Sequence, residues 1–295
     1  MFARKSLLLA LVSVSAFCLV AAAEDKVIFR KGSADDVILV TEDGQGLRTL
    51  RFGEGGARQS VVKPGDPDHL ELRYARVMPV GLALVERPRR VLIVGLGGGT
   101  IPSFLHKHFP KIVIDVVEID ADVVDVAKRF FGFREDATMH AHVDDGRRFI
   151  ERRRHLYDII FLDAFGSENI PYSLATREFL QAARKSLTPG GVVVGNVWSR
   201  HSNRLYDSMV RTYQDVFDQL YIVDVPGVGN KILLALPRKG KIEKADLTRR
   251  AAEISRRNHF GFDLAQCVKS GFRGPGEDGL RGRVLKDADE QDKAE

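Results

Sequence analysis

Four consecutive apolar residues, Val91-Leu92-Ile93-Val94, run straight into Gly95-Leu96-Gly97-Gly98-Gly99-Thr100. An unbroken apolar run suits a strand buried on both faces of a parallel sheet; a strand with one wet face would alternate. The glycines suit a tight turn that brings backbone N–H groups at a helix N-terminus close to a ligand. Strand-like segments recur at 112–117, 139–143, 159–162 and 192–197, with helical patterns at 121–131, 174–187 and 204–220 between them. The alternation predicts an α/β fold built on a doubly wound sheet. Residues 220–225 and 231–236 predict an antiparallel hairpin at its edge, turning through 226–230.

Ahead of Arg90 the pattern differs. Short β-like runs at 27–29, 37–40, 47–52 and 61–62 are separated by Gly32, Gly44, Gly46 and Gly53-Glu54-Gly55-Gly56, which predicts a small antiparallel unit. Leu70, Tyr74, Val77, Met78 and Leu82 follow at roughly helical spacing, with Pro79 marking a bend. Residues 239–257 are charged and helical in pattern. After Gly271 the chain is rich in Gly, Asp, Lys and Arg with almost no apolar residues, which predicts a disordered tail. The expected organisation is a leader over 1–23, a β-rich unit over 24–66, a nucleotide-binding domain over 67–238, a helical segment over 239–270 and the tail over 271–295.

The leader reading rests on Arg4 and Lys5, an uncharged and mostly apolar run from Ser6, and Ala21-Ala22-Ala23 before the first acid. That order predicts a secretory signal cleaved after Ala23 and an exported, periplasmic or secreted, mature chain. A membrane enters only if the leader stays uncleaved as an anchor. The formal charge of +5 includes both leader bases, too small a surplus for a dedicated nucleic-acid binder. Cys18 lies in the leader, so Cys267 stands alone and supports neither a disulfide framework nor a cysteine zinc site. The eight histidines show no metal-ligand spacing, and no metal is expected.

Four places at predicted strand ends carry chemistry. The glycine turn by itself fits a ligand loop or a plain βα turn, since Thr100 stands where a dinucleotide fingerprint has its third glycine. Glu118, ending the second strand, is placed to accept hydrogen bonds from both ribose hydroxyls of a nucleoside; otherwise it is a solvated strand-end acid. Asp145 can accept from an adenine amino group with Gly146 allowing close approach, or it can cap the following helix. Asp163, ending the fourth strand, can act as a general base on an amine or orient one.

With these residues in place, residues from about Leu47 to Leu236 resemble the spermidine synthases, the polyamine aminopropyltransferases. The resemblance implies a β-rich N-terminal unit, a class I methyltransferase-type Rossmann-like domain and a homodimer. It implies decarboxylated S-adenosylmethionine as cosubstrate, its aminopropyl group moving to an amine. By position, Gln59 resembles the glutamine touching the sulfonium nucleotide, Gly95, Gly97 and Gly99 the glycine loop, Glu118 the ribose acid and Asp145-Gly146 the adenine-side pair. Asp163 resembles the first acid of the catalytic motif, and Tyr74 a substrate-side tyrosine. Gly98 and Gly166 stand where the family has aspartates, and Ala75-Arg76 where it has a polar residue and a glutamate. A diammonium substrate needs buried carboxylates, and Arg76 would repel it if turned inward; Glu168 is a candidate replacement. The stretch 170–180 resembles a divergent, spermidine-synthase-like branch.

Three readings follow. The first is aminopropyl transfer to a small-molecule amine or other acceptor. The second is methyl transfer from intact S-adenosylmethionine, favoured by the missing acids. The third is a non-catalytic exported scaffold, favoured by a leader that would carry the chain away from a cosubstrate made in the cytosol. A nicotinamide dehydrogenase ranks last, because Asp145-Gly146 and the Asp163 loop have no role in one.

Overall fold

The computed structural model describes residues 25–32, 37–165, 170–275 and 279–291. The leader, Gly166 and Glu168 lie outside the described residues. β1 (Lys26–Lys31), β2 (Ile38–Glu42), β3 (Arg48–Phe52) and β4 (Arg58–Val62) form an antiparallel meander. The helical pattern after it resolves into α1 (Arg73–Val77) and a 3-10 stretch (Met78–Leu84), tightened where Pro79 removes a backbone donor.

The second sheet is built from β5 (Arg90–Val94), β6 (Val113–Glu118), β7 (Met139–Val143), β8 (Tyr157–Leu162) and β9 (Leu187–Trp198). α2 (Thr100–His108), α3 (Ala121–Phe130), α4 (Gly146–Glu151) and α5 (Arg177–Ser186) connect them. α6 (Tyr206–Val216) leads into β10 (Gln219–Asp224) and β11 (Asn230–Leu236), and α7 (Lys244–Arg257) and α8 (Leu264–Gly271) follow. β12 (Phe272–Pro275) and α9 (Ala288–Gln291) complete the described chain. Among the described residues this sheet has eight strands in the order β12-β10-β11-β9-β8-β5-β6-β7. The five strands from β9 to β7 are parallel, and β11, β10 and β12 each pair antiparallel to a neighbour.

The apolar run of β5 feeds both layers, as its lack of alternation requires. Val91 and Ile93 pack with Leu82, Phe104 and Leu264 on one face. Leu92 and Val94 pack with Phe149, Phe179 and Val210 on the other. A third cluster joins Val40 and Leu50 of the N-terminal meander to Val123 and Val126 of α3. That contact fixes the meander against α3, beside the carboxyl ends of β5 and β6. Arg48 adds a guanidinium hydrogen bond to the Phe130 carbonyl at 2.6 Å.

Two expectations are corrected. The β10–β11 hairpin is not the sheet edge, because β12 pairs along β10 with Arg273 opposite Ile222 and Phe272 opposite Val223. The tail predicted to be disordered supplies that strand, and residues 279–291 lie along α5 and α6. Leu285 is 2% exposed, its N–H donates to Thr212 Oγ1 at 2.9 Å, and its carbonyl accepts from Arg177 N at 2.8 Å. Arg147 on α4 holds Asp287 through Nη1 at 2.7 Å. A segment too polar to build a core can still dock on one already built, since docking needs one apolar anchor and satisfied backbone groups. No helix among the described residues is long and apolar enough to cross a membrane.

Truncating Leu285 to alanine should lower stability by about 2–5 kcal/mol in urea unfolding, the range for a buried leucine. An unstructured tail would leave the midpoint unmoved.

Candidate active site at the carboxyl edge of the sheet

The chain climbs β5, β6 and β7 on one side, then crosses back to place β8 and β9 on the other. The carboxyl ends of β5 and β8 therefore meet at a topological switch point, where open α/β sheets leave a crevice. Gly95 N donates to the Val117 carbonyl and Asp163 N to the Val94 carbonyl, both at 2.9 Å. Gly95 has a φ of +97°, and a Cβ there would lie 2.5 Å from the Asp163 carbonyl oxygen. Only glycine lets these two loops touch.

A cavity of about 260 Å³ opens over this junction, a little below the usual span of small-molecule sites. Gln59, Tyr74, Gly95, Gly97, Glu118, Asp145, Gly146 and Asp163 all line it. Gly99 does not. It caps α2 in the left-handed region, and a Cβ would stand 2.9 Å from Phe133, so this glycine serves packing behind the loop. Gly98 also turns from the cavity, with Ser60 Oγ and Phe131 Cδ1 at 2.8 and 2.9 Å from the Cβ it lacks. Thr100 takes its place through a 2.9 Å hydroxyl contact with Ser60 Oγ, tying the glycine loop to β4.

On the β5–β7 side, Glu118 accepts from Leu96 N at 2.9 Å and from Asp120 N at 3.2 Å. These bonds hold one oxygen against the glycine loop and the other against the start of α3. Burial raises the Glu118 pKa above the usual carboxylate value, with the backbone donors opposing it. Asp145 is the α4 cap, accepting from Arg148 N at 2.8 Å, while its residue still faces the cavity. Gly146 is needed for a different reason than ligand approach: a Cβ would lie 2.6 Å from Val94 Cγ1, so it lets α4 sit on β5.

On the β8–β9 side, Asp163 is held between two neutral donors. Asn196 Nδ2 reaches Asp163 Oδ1 at 2.9 Å, and the Tyr74 hydroxyl donates to the same carboxyl group. Asn230 Nδ2 in turn donates to Asn196 Oδ1 at 2.9 Å, which sets the orientation of that amide. Burial, with no cationic partner among the described residues, pushes the Asp163 pKa up to about 7, against the lowering effect of Asn196 and Tyr74. Burial, and then the adjacent carboxylate, drive the Tyr74 hydroxyl well above its ordinary value, so it stays a donor. Arg76 is exposed and directs its Nε to the Leu70 carbonyl at 2.7 Å, away from the cavity. The repulsion expected of an inward Arg76 therefore does not arise.

Sequence reasoning missed Asn196, Asn230, Phe165 and Trp198. Phe165 and Trp198 stack with centroids 5.4 Å apart and planes at 27°. A signal existed for one of them: Asn196 is a lone amide in Val192-Val193-Val194-Gly195-Asn196-Val197, an unlikely guest in a strand buried on both faces. Asn230 had none, since only the fold brings β11 beside β9. Among the described residues, no group of three or more His, Cys, Asp or Glu side chains is arranged to hold a metal ion.

Residues 72–242 match the family described as spermine/spermidine synthase domain. A polyamine aminopropyltransferase of Vibrio vulnificus (strain CMCP6) is 37% identical over 205 residues, 67% of this chain and 68% of its own length. The eEF1A lysine and N-terminal methyltransferase of Bos taurus is 37% identical over 186 residues, 57% of this chain but only 26% of that protein. Among solved structures, human methyltransferase-like protein 13 in complex with SAH aligns with a TM-score of 0.57 at 30% identity, over 71% of this chain and 97% of that one. A spermidine synthase in complex with the transition-state analogue AdoDATO aligns with a TM-score of 0.66 at 20% identity, over 83% and 85% of the two chains.

The raised Asp163 pKa has a stability consequence of definite sign. Its native value near 7 exceeds the ordinary 3.8, so the stabilising protonated form is present below pH 4 and is lost as pH rises through 7. Relative to wild type, Asp163→Asn should gain about 4 kcal/mol between pH 4 and pH 8 in urea titrations. A constant difference across that range would show that the carboxyl group is solvated.

Proposed function

The chain belongs to the spermine/spermidine synthase family, and on that premise we propose that it transfers an alkyl group from a sulfonium adenosine nucleotide to an amine beside Asp163. The observation that carries this reading is the position of Asp163. Its backbone abuts Gly95 where the two halves of the crevice meet, and its carboxyl group has no cationic partner among the described residues. An ammonium group and a sulfonium would both supply the charge that this buried carboxyl lacks.

The nucleotide occupies the β5–β7 side, with its ribose on Glu118, its base near Asp145 and its sulfonium between Gln59 and Asp163. The amine enters from the β8–β9 side. Asp163 takes the proton as the amine nitrogen attacks the carbon on sulfur. The N–C bond forms, the S–C bond breaks, and its electron pair returns to sulfur to leave a neutral thioether. Asn196 and Tyr74 aim the carboxylate, and the protein supplies alignment and deprotonation.

The cosubstrate proposed first is decarboxylated S-adenosylmethionine, which makes the transfer an aminopropyl transfer. The aminopropyltransferase relative and the AdoDATO-bound fold neighbour support it. Methyl transfer from intact S-adenosylmethionine is the second reading, supported by the methyltransferase relatives and the SAH-bound neighbour. Arg58 also lines the crevice and could offset the extra carboxylate of the intact nucleotide. Export after Ala23 and pairing into a homodimer remain proposals from the leader pattern and the resemblance.

Parallel calorimetric titration with the two nucleotides tests the reading. The form that transfers should bind at least about tenfold more tightly, and binding of neither would overturn it. Asp163→Asn should cut turnover by roughly 10²–10⁴, well beyond the weakening of nucleotide binding that follows from losing the one charge beside the sulfonium. Glu118→Gln should instead weaken nucleotide binding, by about tenfold for one charge-assisted bond.

A further inference from the structure

The family match ends at residue 242, yet a segment well past it reaches the walls of the crevice. Two stretches of wall are involved. Asp145 and Gly146 line the cavity at the start of α4, and Pro171, Ser173 and Leu174 line it ahead of α5. The second stretch has little regular structure of its own. It makes one 3-10 turn (Tyr172–Leu174), in which Leu174 N donates to the Pro171 carbonyl and Ala175 N to the Tyr172 carbonyl, both at 2.9 Å. A single turn of this kind is weak unless something packs on it.

The C-terminal tail packs on it. Leu280 and Leu285 join the apolar cluster that holds Ile170, Tyr172 and Leu174. The Tyr172 hydroxyl donates to the Lys286 carbonyl at 3.2 Å. Asp287 then ties the two walls together. Its carboxylate accepts from both terminal nitrogens of Arg147, the residue after Gly146, and from the hydroxyl of Thr176, the cap of α5. Its N–H donates to Glu178 Oε2 at 3.0 Å. A guanidinium fork on a carboxylate fixes angle as well as distance, so the first turn of α4 is held in register with the 172–176 stretch.

Resting on the nucleotide reading above, we propose that residues 280–287 form a strap that positions the crevice, with Asp287 as the positioning residue that couples docking of the tail to nucleotide binding. The strap is held by two leucines and by polar bonds near the surface, so it opens at a lower free energy than the strands of the core. Opening it frees Arg147 from Asp287 and uncovers the 3-10 turn. A nucleotide that needs both walls in place binds the strapped form more tightly and, by linkage, holds the strap down.

The test compares the full mature chain with Asp287→Ala, Arg147→Ala and the double variant. Without nucleotide, amide hydrogen exchange at Leu174 and Ala175 should be at least about tenfold faster in Asp287→Ala, with Ile93 of β5 unchanged as the control for the fold. A tail that only docks would alter exchange at Leu285 and Arg177 and leave Leu174 alone, which overturns the proposal. S-adenosylmethionine and its decarboxylated form are then titrated by calorimetry. Whichever binds the wild type should bind each single variant at least about fivefold more weakly, and the double variant no more weakly than either. Unchanged affinity, or losses that add, overturns the coupling. The same nucleotide should slow exchange of the Leu285 amide in the wild type. Binding of neither nucleotide to the wild type removes the transferase reading and the coupling that rests on it, whereas weaker binding to no variant, with the wild type binding, removes the coupling alone.

Discussion

The contact between the ends of β5 and β8 is the constraint on which the rest of the site depends. Gly95 lacks the Cβ that would collide with the Asp163 carbonyl, and Asp163 N continues the β5 ladder by bonding Val94. The glycine loop and the acidic loop therefore share one backbone junction. Any ligand that reaches across it touches both halves of the crevice. A side chain at residue 95 would collide with the backbone of Asp163 and Ala164 and force the two loops apart.

The N-terminal meander completes the enclosure from above. Its apolar face packs on α3, and Ser60 meets Thr100 at the start of α2. The same contact bears on Gly98, where the resemblance to the family implies an aspartate. The space beside Gly98 is filled by Ser60 and Phe131, so an acid could not stand there without displacing the meander. Asp163 keeps only neutral donors around it among the described residues, and burial lifts its carboxyl above the ordinary range against their lowering effect.

Much of the architecture was legible in the chain because local patterns and tertiary burial agree. The strand ends that carry Glu118, Asp145 and Asp163 were read from apolar runs closed by an acid, a pattern local enough to survive without coordinates. Asp145 illustrates the limit. Its two readings, helix cap and cavity residue, are both realised at once, because a carboxylate has more lone pairs than one backbone N–H can use. Gly99 and Gly146 show the opposite case. Sequence marks a glycine as special but does not say whether a ligand, a helix or a phenyl ring fills the space above it.

The doubly wound sheet, the glycine turn and the row of strand-end acids follow from period and residue type alone, since those act over a few neighbouring positions. The direction of Arg76, the Asn230–Asn196–Asp163 chain and the Phe165–Trp198 stack do not. Each depends on which distant strand comes to lie beside which, and no local pattern records that. The tail makes the same point at larger scale. Its composition shows that it has no core of its own, and only the folded surface of α5, α6 and β10 decides that it has somewhere to dock.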